Sequence, residues 1–323
     1  MDNTFERKID LVYCWVDGSD TEWQRKRNNC LSQCNEKISN ATCRFRNNDE
    51  LKYSLRSVEK YAPWINHIYI ITDNQTPKWL NTDNPKITVV DHKDILPSEV
   101  LPSYNSLAIE YCMHKIPDLS EYFLYANDDM FFANPVSPDF FYTNKGVPIF
   151  RFRHKVSKEP DSQYKTTIYN AIKLLKSHNY KVKEFISHHN IDAYTKSLIQ
   201  NCHKEFFSEI DNTIHNKFRT SKDIQRIMYS YYAIASGQGI YKKVTKFDRN
   251  YSIFKQLFDR LFCKYNQDSI QFCCESANIL SKINKYNVKL ICINDTNKTT
   301  DKDRENLKTF LESYYGKKSE FEK

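Results

Sequence analysis

The chain has 323 residues, of which 27% are charged and 40% are hydrophobic, and its formal net charge is +8. This is the composition of a globular protein with ample core, and no apolar run approaches the roughly 18–20 residues of a membrane span. Because residues 1–8 lack the apolar stretch of a secretory signal, we expect a cytoplasmic protein whose ten cysteines are reduced.

Charge is distributed unevenly along the chain. Acidic residues outnumber basic ones in residues 1–150, whereas Lys and Arg outnumber the acids in residues 151–323. An acidic half suits a metal ion and a basic half suits anions, so the pattern favours a phosphate-bearing substrate. The sequence has no dense basic cluster and no nucleic-acid recognition motif, and we therefore expect no nucleic-acid partner.

The N-terminal part of the chain alternates predicted strands with predicted helices. Helical spacing and capping residues predict helices that begin at residue 21, at about residue 50 and at residue 104. This alternation predicts an α/β fold with a mostly parallel sheet and helices on both faces, whose carboxyl edge is where a nucleotide would bind. The predicted strands are apolar runs that each end in acidic or amide side chains, at residues 9–16, 67–72, 87–90 and 122–126.

The rest of the chain is less regular. We predict a loop at 143–165, a mainly helical region at 166–237 and a helix at 269–286. A strand at 288–293 and a helix at 301–315 follow. Because no Gly/Ser-rich linker divides the sequence, we expect one unit in three parts. These are an α/β part at 1–142, a mainly helical insertion at 143–268, and a strand and helix at 269–323 that complete the core.

The stretch with the most chemical content is Asn127, Asp128 and Asp129, which interrupts the aromatic run 123–132. Adjacent carboxylates between apolar side chains are unfavourable unless a positive charge neutralises them, and hard divalent cations prefer carboxylate oxygens. A solvated polar turn is the alternative interpretation. Asp295 ends a distant strand and would complete a metal site, with a helix N-cap as its alternative role. We expect Mg²⁺, or Mn²⁺, as the ion.

Four stretches of the sequence carry motifs that belong together. The first is residues 9–20, with a Trp-Val-Asp-Gly-Ser-Asp run, and the second extends from residue 44 to residue 141 and contains the Asn-Asp-Asp turn. A third, looser stretch holds His189 and Phe218-Arg219, and the fourth holds Cys-Ile-Asn-Asp at 292–295. Together they resemble the Stealth family, which includes bacterial capsule phosphotransferases and the lysosomal-enzyme N-acetylglucosamine-1-phosphotransferase.

The resemblance implies a Rossmann-like (GT-A-like) sheet with an inserted helical region, and a particular reaction. A sugar-1-phosphate would move from a UDP-sugar, expected to be a UDP-N-acetylhexosamine, to a hydroxyl of a glycan acceptor, and UMP would leave. The part at 1–142 would then bind the nucleotide-sugar. The same resemblance implies capsular or cell-surface polysaccharide synthesis, in which the basic half would suit peripheral contact with the inner membrane or with capsule assembly proteins.

The resemblance also implies roles for individual residues. His189 is the expected general base, with His188 as the alternative because the register is ambiguous by one position. Arg219 would bind phosphate oxygens through its planar guanidinium, and Asp128 would act in catalysis. The expected metal ligands are Asp128, Asp129 and Asp295. The expected donor-binding residues are Asp17, Gly18, Arg44, Arg46, Arg56, Asp73, Asn105 and Asn127.

Two other interpretations stay open at this point. A metal-dependent GT-A-type glycosyltransferase would use the same acidic turn and the same donor, but it would break the sugar–oxygen bond and release UDP. A non-catalytic glycan-binding protein would not turn over a donor at all. Analysis of the nucleotide product separates these hypotheses, whereas composition and periodicity do not.

Overall fold

A computed structural model describes residues 7–34, 45–157, 159–244 and 268–323. The strands in these residues are β1 (Ile9–Cys14), β2 (Ile68–Thr72), β3 (Ile87–Asp91), β4 (Tyr122–Asn127), β5 (Met130–Phe132), β6 (Ile149–Lys155), β7 (Phe185–Ser187), β8 (Asp192–Thr195), β9 (Ile240–Lys243), β10 (Ser269–Cys273) and β11 (Leu290–Asn294). The helices are α1 (Thr21–Ser32), α2 (Glu50–Tyr61), α3 (His92–Ile95), α4 (Ser106–Cys112), α5 (Gln163–Ser177), α6 (Lys196–Glu205), α7 (Phe207–Ile214), α8 (Ile227–Ala235), α9 (Ile279–Tyr286) and α10 (Asp301–Tyr314).

The central sheet has five strands in the order β3-β2-β1-β4-β8. Strands β1 to β4 pair in parallel, and β8 pairs with β4 in the antiparallel direction. The four parallel strands are those predicted from the apolar runs, with small differences at their ends. Strand β2 is buried along its whole length, as expected of a parallel strand that is covered on both faces. The predicted α/β fold with a mostly parallel sheet is therefore confirmed.

Helices cover both faces of this sheet, also as predicted. Helix α2 buries Leu51, Leu55 and Val58 against one face, together with Leu11 of β1. Helices α4, α5, α6 and α8 pack on the other face, where Val12 of β1 points. Successive strand residues alternate between the two cores because side chains in a strand point to opposite faces. No helix in the described residues is long and apolar enough to cross a membrane.

A second sheet brings the C-terminal part of the chain to the end of β4. Its order is β10-β11-β5, with β10 parallel and β5 antiparallel to β11. Only Asp128 and Asp129 separate β4 from β5, so this turn joins the two sheets. The backbone N–H of Ile293 donates to the carbonyl of Asp129 at 3.0 Å, which places the end of β11 beside the turn.

The prediction of a single helix over 269–286 was wrong in its first part. Residues 269–273 pair in parallel with β11 as strand β10, in which Ser269 and Phe272 are buried, and helix α9 follows. The strand at 288–293 and the helix at 301–315 are confirmed as β11 and α10. Tertiary pairing with a buried strand outweighs the weak helical spacing of residues 269–273.

The region at 143–268 has more strands than predicted. Helices α5 to α8 confirm its helical part, but the predicted loop contains β6, and β7 and β8 interrupt the predicted helices. β6 pairs with β7 and β9 in a third sheet. Strands β7 and β8 have only three and four residues, and the end of β6 is polar and exposed, so these strands lack the continuous apolar run that marks the parallel strands. Residues 245–267 lie outside the described part of the chain.

Candidate active site

A cavity of about 380 Å³ opens at the carboxyl edge of the central sheet. The residues that follow β1, the turn after β4 and the end of β11 all contribute to its lining. It therefore brings together positions that are far apart in the sequence. The predicted site residues that line it are Arg46, Asn127, Asp128, Asp129, His189, Arg219 and Asp295.

Four carboxylates in this lining form what we call the acidic wall: Glu50, Asp128, Asp129 and Asp295. Asp129 Oδ2 accepts a hydrogen bond from Asn294 Nδ2 at 2.6 Å. The other oxygen of Asp129 is buried and has no hydrogen-bond partner among the described residues, and the same holds for Asp295 Oδ1. Such orphaned buried oxygens are rare, because desolvation without a compensating bond is unfavourable. The acidic wall thus offers oxygen ligands that protein donors leave unsatisfied.

Three acids of the acidic wall, Glu50, Asp128 and Asp129, have raised pKa values. Burial is the main cause that raises the pKa of Asp128 and of Asp129, and the Glu50 carboxylate raises both further. Burial also raises the pKa of Glu50, against hydrogen bonds from the Asn48 backbone and side chain at 2.6 Å each. A bound cation would favour the charged form of all three groups. The oxygen-only ligand set therefore fits a hard divalent cation such as Mg²⁺ or Mn²⁺.

Glu50 has no chemical role in the sequence prediction, in which residues 47–49 are caps and Glu50 only begins the helix. Asp49 does occupy the N-cap position of α2, with φ of 64°, but its side chain makes no capping bond within the described structure. Ser54, four residues after Glu50, donates to the Met130 carbonyl at 2.5 Å. Because residues four apart share a helix face, the spacing of Glu50 and Ser54 places Glu50 on the face of α2 that packs against β5. That spacing is the sequence signal that could have identified Glu50.

Of the two adjacent histidines, His189 lines the cavity, whereas His188 is buried behind it. The ring of His188 lies 2.9 Å from Ser269 Oγ and 3.2 Å from the Asp192 carboxylate. Burial, with smaller effects of the nearby Arg226 and Arg153 guanidinium groups, lowers the pKa of His189 to about 4. The His189 imidazole is therefore neutral near pH 7 and can accept a proton. The position of His189 suits the predicted base, and that of His188 suits a structural role.

Arg219 lines the cavity on a loop that α4 and α5 hold in place. Its guanidinium donates to Ser106 Oγ, and its carbonyl accepts from Gln163 Nε2 at 2.9 Å. Asn105, predicted to bind the donor, is fully buried as the N-cap of α4. Its side-chain amide donates to Asp223 Oδ2 at 3.1 Å. Asn105 therefore fixes the loop that carries Arg219, and it does not belong to the cavity lining formed by the described residues.

Arg226 is a buried arginine that the sequence prediction missed. It forms ion pairs with Asp192 at 2.8 Å and with Glu110 at 3.2 Å. It also lines a smaller cavity that shares His189 and Arg219 with the main one. Because two carboxylates compensate its charge, Arg226 is held in a fixed position near His189. Its partners are distant in the sequence, so no local pattern marks this residue.

Aromatic side chains also line the cavity. The sequence prediction includes Phe218 as part of a motif but gives none of these side chains a role. Tyr104 stacks on Phe218 with ring centroids 5.3 Å apart, and Trp23 contacts the Tyr104 ring at 5.6 Å. Phe45 lies beside Trp23 at 5.3 Å. Flat aromatic surfaces of this kind suit a base or a sugar ring. Each of these residues is scattered in the sequence and resembles an ordinary core position.

The three predicted donor-binding arginines have different positions. Arg46 lines the cavity, and its guanidinium lies 3.6 Å from the Asp295 carboxylate. Arg56 instead forms a two-pronged ion pair with Glu322 at 2.7 and 2.8 Å. Its guanidinium therefore anchors the C-terminal segment and lies outside the lining of the cavity as described. Arg44 falls in residues 35–44, which lie outside the described part of the chain.

Asp17, Gly18 and Asp73 lie near the cavity but are not part of its described lining. Gly18 packs so tightly against Phe45 that a Cβ at this position would lie 1.9 Å from the Phe45 carbonyl oxygen. A side chain here would displace an aromatic residue of the lining. Asp73 lies 3.9 Å from Nδ1 of His92, which does line the cavity. These predicted residues therefore support the lining from behind.

Comparison with known proteins gives matches over nearly the whole chain. Stealth protein conserved region 1 matches residues 7–33, and Stealth protein conserved region 2 matches residues 44–150. An exopolysaccharide phosphotransferase of Lactiplantibacillus plantarum is 32% identical over 98% of this chain and 96% of its own length. A capsular polysaccharide phosphotransferase of Actinobacillus pleuropneumoniae is 34% identical over 90% of this chain and 82% of its own length.

A longer relative, an exopolysaccharide phosphotransferase of Streptomyces coelicolor, is 33% identical over 98% of this chain, which spans 52% of that protein. The two conserved regions include β1 and the acidic turn after β4. The alignment with the Lactiplantibacillus plantarum protein, which covers 98% of this chain, also includes the end of β11. The resemblance seen in the motifs is thereby confirmed. The chain belongs to the Stealth family of phosphotransferases.

Proposed function

We propose that this enzyme transfers a hexose-1-phosphate, with N-acetylhexosamine-1-phosphate as the favoured group, from a UDP-sugar to a glycan hydroxyl and releases UMP. The reaction would serve capsular or cell-surface polysaccharide synthesis, in line with the names of its relatives. The observation that carries the proposal is one cavity that joins Asp128, Asp129 and Asp295 to His189 and Arg219. Acids for a cation, a neutral imidazole and a guanidinium are the parts that phosphoryl transfer requires.

Asp128, Asp129 and Asp295 are the residues that would hold Mg²⁺ or Mn²⁺. Two of their oxygens are buried without a hydrogen-bond partner in the described structure, which supports this assignment. The bound ion would neutralise the donor diphosphate and the charge that develops on the departing UMP. Glu50 adds negative potential to the same wall, and the two hydrogen bonds from Asn48 fix its orientation.

The bond changes follow from the proposed reaction class. The acceptor hydroxyl oxygen attacks the phosphorus that carries the sugar, a new P–O bond to the glycan forms, and the P–O bond to UMP breaks. His189 takes the hydroxyl proton. Its pKa of about 4 in the free protein makes it a weak base, and the negative charge of a bound donor would raise that pKa toward the operating pH. Arg219 would bind the non-bridging phosphate oxygens.

The donor would extend from the acidic wall to the aromatic part of the lining. Trp23, Tyr104 and Phe218 offer flat surfaces for the uracil base. Arg46 is 43% exposed, and its 3.6 Å contact with Asp295 is a long one. An exposed ion pair of this kind contributes little, so Arg46 can turn to a donor phosphate without a large energetic loss.

The test is a product analysis. Purified protein is incubated with UDP-N-acetylglucosamine, Mg²⁺ and candidate oligosaccharides, and nucleotides and glycans are separated by chromatography. We expect UMP together with a phosphodiester-linked sugar on the acceptor, and neither product from an Asp129→Asn preparation. Formation of UDP would instead indicate a glycosyltransferase. Glycan binding without any nucleotide product would indicate a non-catalytic binding protein.

A further inference from the structure

A thiol lies beside the carboxylate and the imidazole of the candidate site, and the proposed reaction does not use it. Cys292 is a buried residue of β11 and is the register partner of Met130 in β5, immediately after the acidic turn. Its Sγ, an oxygen of Asp129 and a ring nitrogen of His189 all lie within 4.8 Å of one another. Cys292 is a free thiol in the described structure.

The sulfur of Cys292 and the ring nitrogen of His189 differ in chemistry from the carboxylate oxygens of the acidic wall. Nitrogen and sulfur are poor ligands for Mg²⁺ and good ligands for Zn²⁺, Co²⁺ and similar ions. Bonds of about 2.0–2.3 Å in a tetrahedral zinc site place ligand atoms roughly 3.5 Å apart, so small side-chain rotations would bring the three atoms onto one ion. Asp129 Oδ1 is buried without a hydrogen-bond partner among the described residues, and the interaction between the Cys292 thiol and the Asp129 carboxylate would be replaced when both groups bind the ion.

We propose that Asp129, His189 and Cys292 form a binding site for thiophilic divalent cations such as Zn²⁺, and that an ion bound there inhibits the enzyme. Water would take the fourth ligand position, as in zinc sites with three protein ligands. On binding, the Cys292 thiol loses its proton to solvent. The resulting thiolate and the Asp129 carboxylate together balance the charge of the ion, although Arg153 and Arg226 lie near His189.

Inhibition follows from which groups the ion would occupy. It would take Asp129 away from Mg²⁺ and would hold the nitrogen lone pair with which His189 accepts a proton. This part of the proposal rests on the proposed function of the two residues. The binding of the ion does not rest on it, because it requires only the three ligand atoms.

Cobalt spectroscopy of the full-length protein, without an affinity tag, tests the binding directly. We expect Co²⁺ to produce a thiolate-to-cobalt charge-transfer band that Zn²⁺ abolishes and excess Mg²⁺ does not. Cys292→Ser should eliminate the band, and His189→Ala, which keeps the thiol, should weaken Co²⁺ binding. Cys112→Ser, at a buried cysteine outside the described cavity lining, and Cys30→Ser with Cys34→Ser should leave the band unchanged. Absence of the band in the parent protein, or its persistence in Cys292→Ser, would overturn the proposal.

Inhibition is measured separately, as Zn²⁺ inhibition of UMP release at saturating Mg²⁺, with each variant normalised to its own rate without Zn²⁺. Loss of a residue that only supports a metal ligand typically weakens metal binding by about 10–100-fold. Cys292→Ser removes a direct ligand, so the Zn²⁺ concentration that inhibits this variant should rise by at least that factor. Equal inhibition of the parent and Cys292→Ser would refute inhibition through this site. If the parent releases no UMP at all, the proposed function fails while the cobalt result still decides the binding.

Discussion

The acidic wall and the positively charged side of the site differ in how the protein satisfies their charges. In the acidic wall, oxygens of Asp129 and Asp295 are buried without partners in the described structure. On the other side, Arg226 is held by the carboxylates of Asp192 and Glu110, and Arg219 donates to Ser106. The positive groups are therefore preorganised by the protein alone. In the acidic wall only Asp295 has basic partners among the described residues, Arg46 and Arg304, and Glu50, Asp128 and Asp129 have none.

This difference has a consequence for stability. Like charges gathered in a buried wall destabilise the folded protein until a cation binds, because their repulsion adds to the cost of desolvation. A buried arginine with two carboxylate partners has the opposite property, since removal of one member leaves the others uncompensated. Substitutions of Asp128 or Asp129 should thus reduce activity without loss of stability, and substitutions around Arg226 should reduce both.

The largest expected effect is that of Asp129→Asn, which should abolish UMP release and leave the thermal midpoint of the metal-free protein unchanged or higher. The substitution removes a metal ligand and one of the repelling charges while it preserves size. Nucleotide analysis and thermal unfolding measure the two effects, with Asp83→Asn, at an exposed acid, as the control. A marked fall in the midpoint of Asp129→Asn would contradict the expected destabilisation by the unpaired acids, and full activity would contradict the assignment of Asp129 as a metal ligand.

His189→Ala should lower kcat by about 10²–10⁴-fold, the usual contribution of a general base, with a smaller change in the KM for the donor. The neighbouring substitution His188→Ala should affect stability rather than catalysis. His188 contacts Ser269 and Asp192 and is buried, so its loss should lower stability by about 1–3 kcal/mol. Steady-state kinetics and denaturant unfolding of both variants provide the test. Selective loss of kcat in His188→Ala alone would assign the base to the other histidine.

Arg219→Lys should lower kcat by about 10²–10³-fold, comparable to the loss of one preorganised donor to a developing charge. Lysine keeps the positive charge but not the planar fork that binds two phosphate oxygens. Arg25→Lys, at an exposed arginine paired with Glu22, is the matched control and should show parent kinetics. An Arg219→Lys variant as active as the control would show that position 219 supplies charge alone.

The smallest expected effect is on the pH dependence of stability. Since folding raises the pKa of Asp129 to about 7, its ionisation destabilises the folded state above that pH, and protonation removes this penalty as pH falls through the folded pKa. The thermal midpoint of the metal-free protein should rise by roughly 1–2 °C as pH falls from about 7 to about 6, because the penalty is lost below the folded pKa. Calorimetry measures this shift.

Glu50→Gln is the variant that isolates this pH effect, because Glu50 is a cause of the raised pKa of Asp129. It should reduce the pH-dependent rise, and saturating Mg²⁺ should reduce it in the parent protein. The difference between variants cancels the contribution of buried histidines such as His92, whose lowered pKa acts in the opposite direction at lower pH. An identical pH dependence in the parent and Glu50→Gln would contradict the electrostatic account of the acidic wall.

Much of the fold could be predicted from the sequence because its central strands are buried on both faces. The run at 122–126 is apolar for that reason, and the acids that follow it had to lie at the carboxyl edge. Asp129 and Asp295 could therefore be predicted to meet, since each ends a strand. Strands β6 to β8 could not be predicted, because β7 and β8 have only three and four residues and the end of β6 is polar and exposed.

The roles of residues that depend on distant partners could not be predicted from the sequence either. Arg226 is defined by Asp192 and Glu110, and Arg56 by Glu322, which draws it away from the predicted donor site. Nothing in the local sequence of either arginine indicates which acid it contacts. Glu50 differs from both, because its helical spacing with Ser54 is visible in the sequence, where Glu50 begins a predicted helix.

The identity of the nucleotide product distinguishes transfer of a sugar phosphate from transfer of the sugar alone. Parent protein with UDP-N-acetylglucosamine, Mg²⁺ and an accepted oligosaccharide should release UMP in equal amount to the sugar phosphate gained by the acceptor. Addition of EDTA should stop the reaction, and excess Mg²⁺ should restore it. Release of UDP, with the sugar attached to the acceptor without phosphate, would contradict the account.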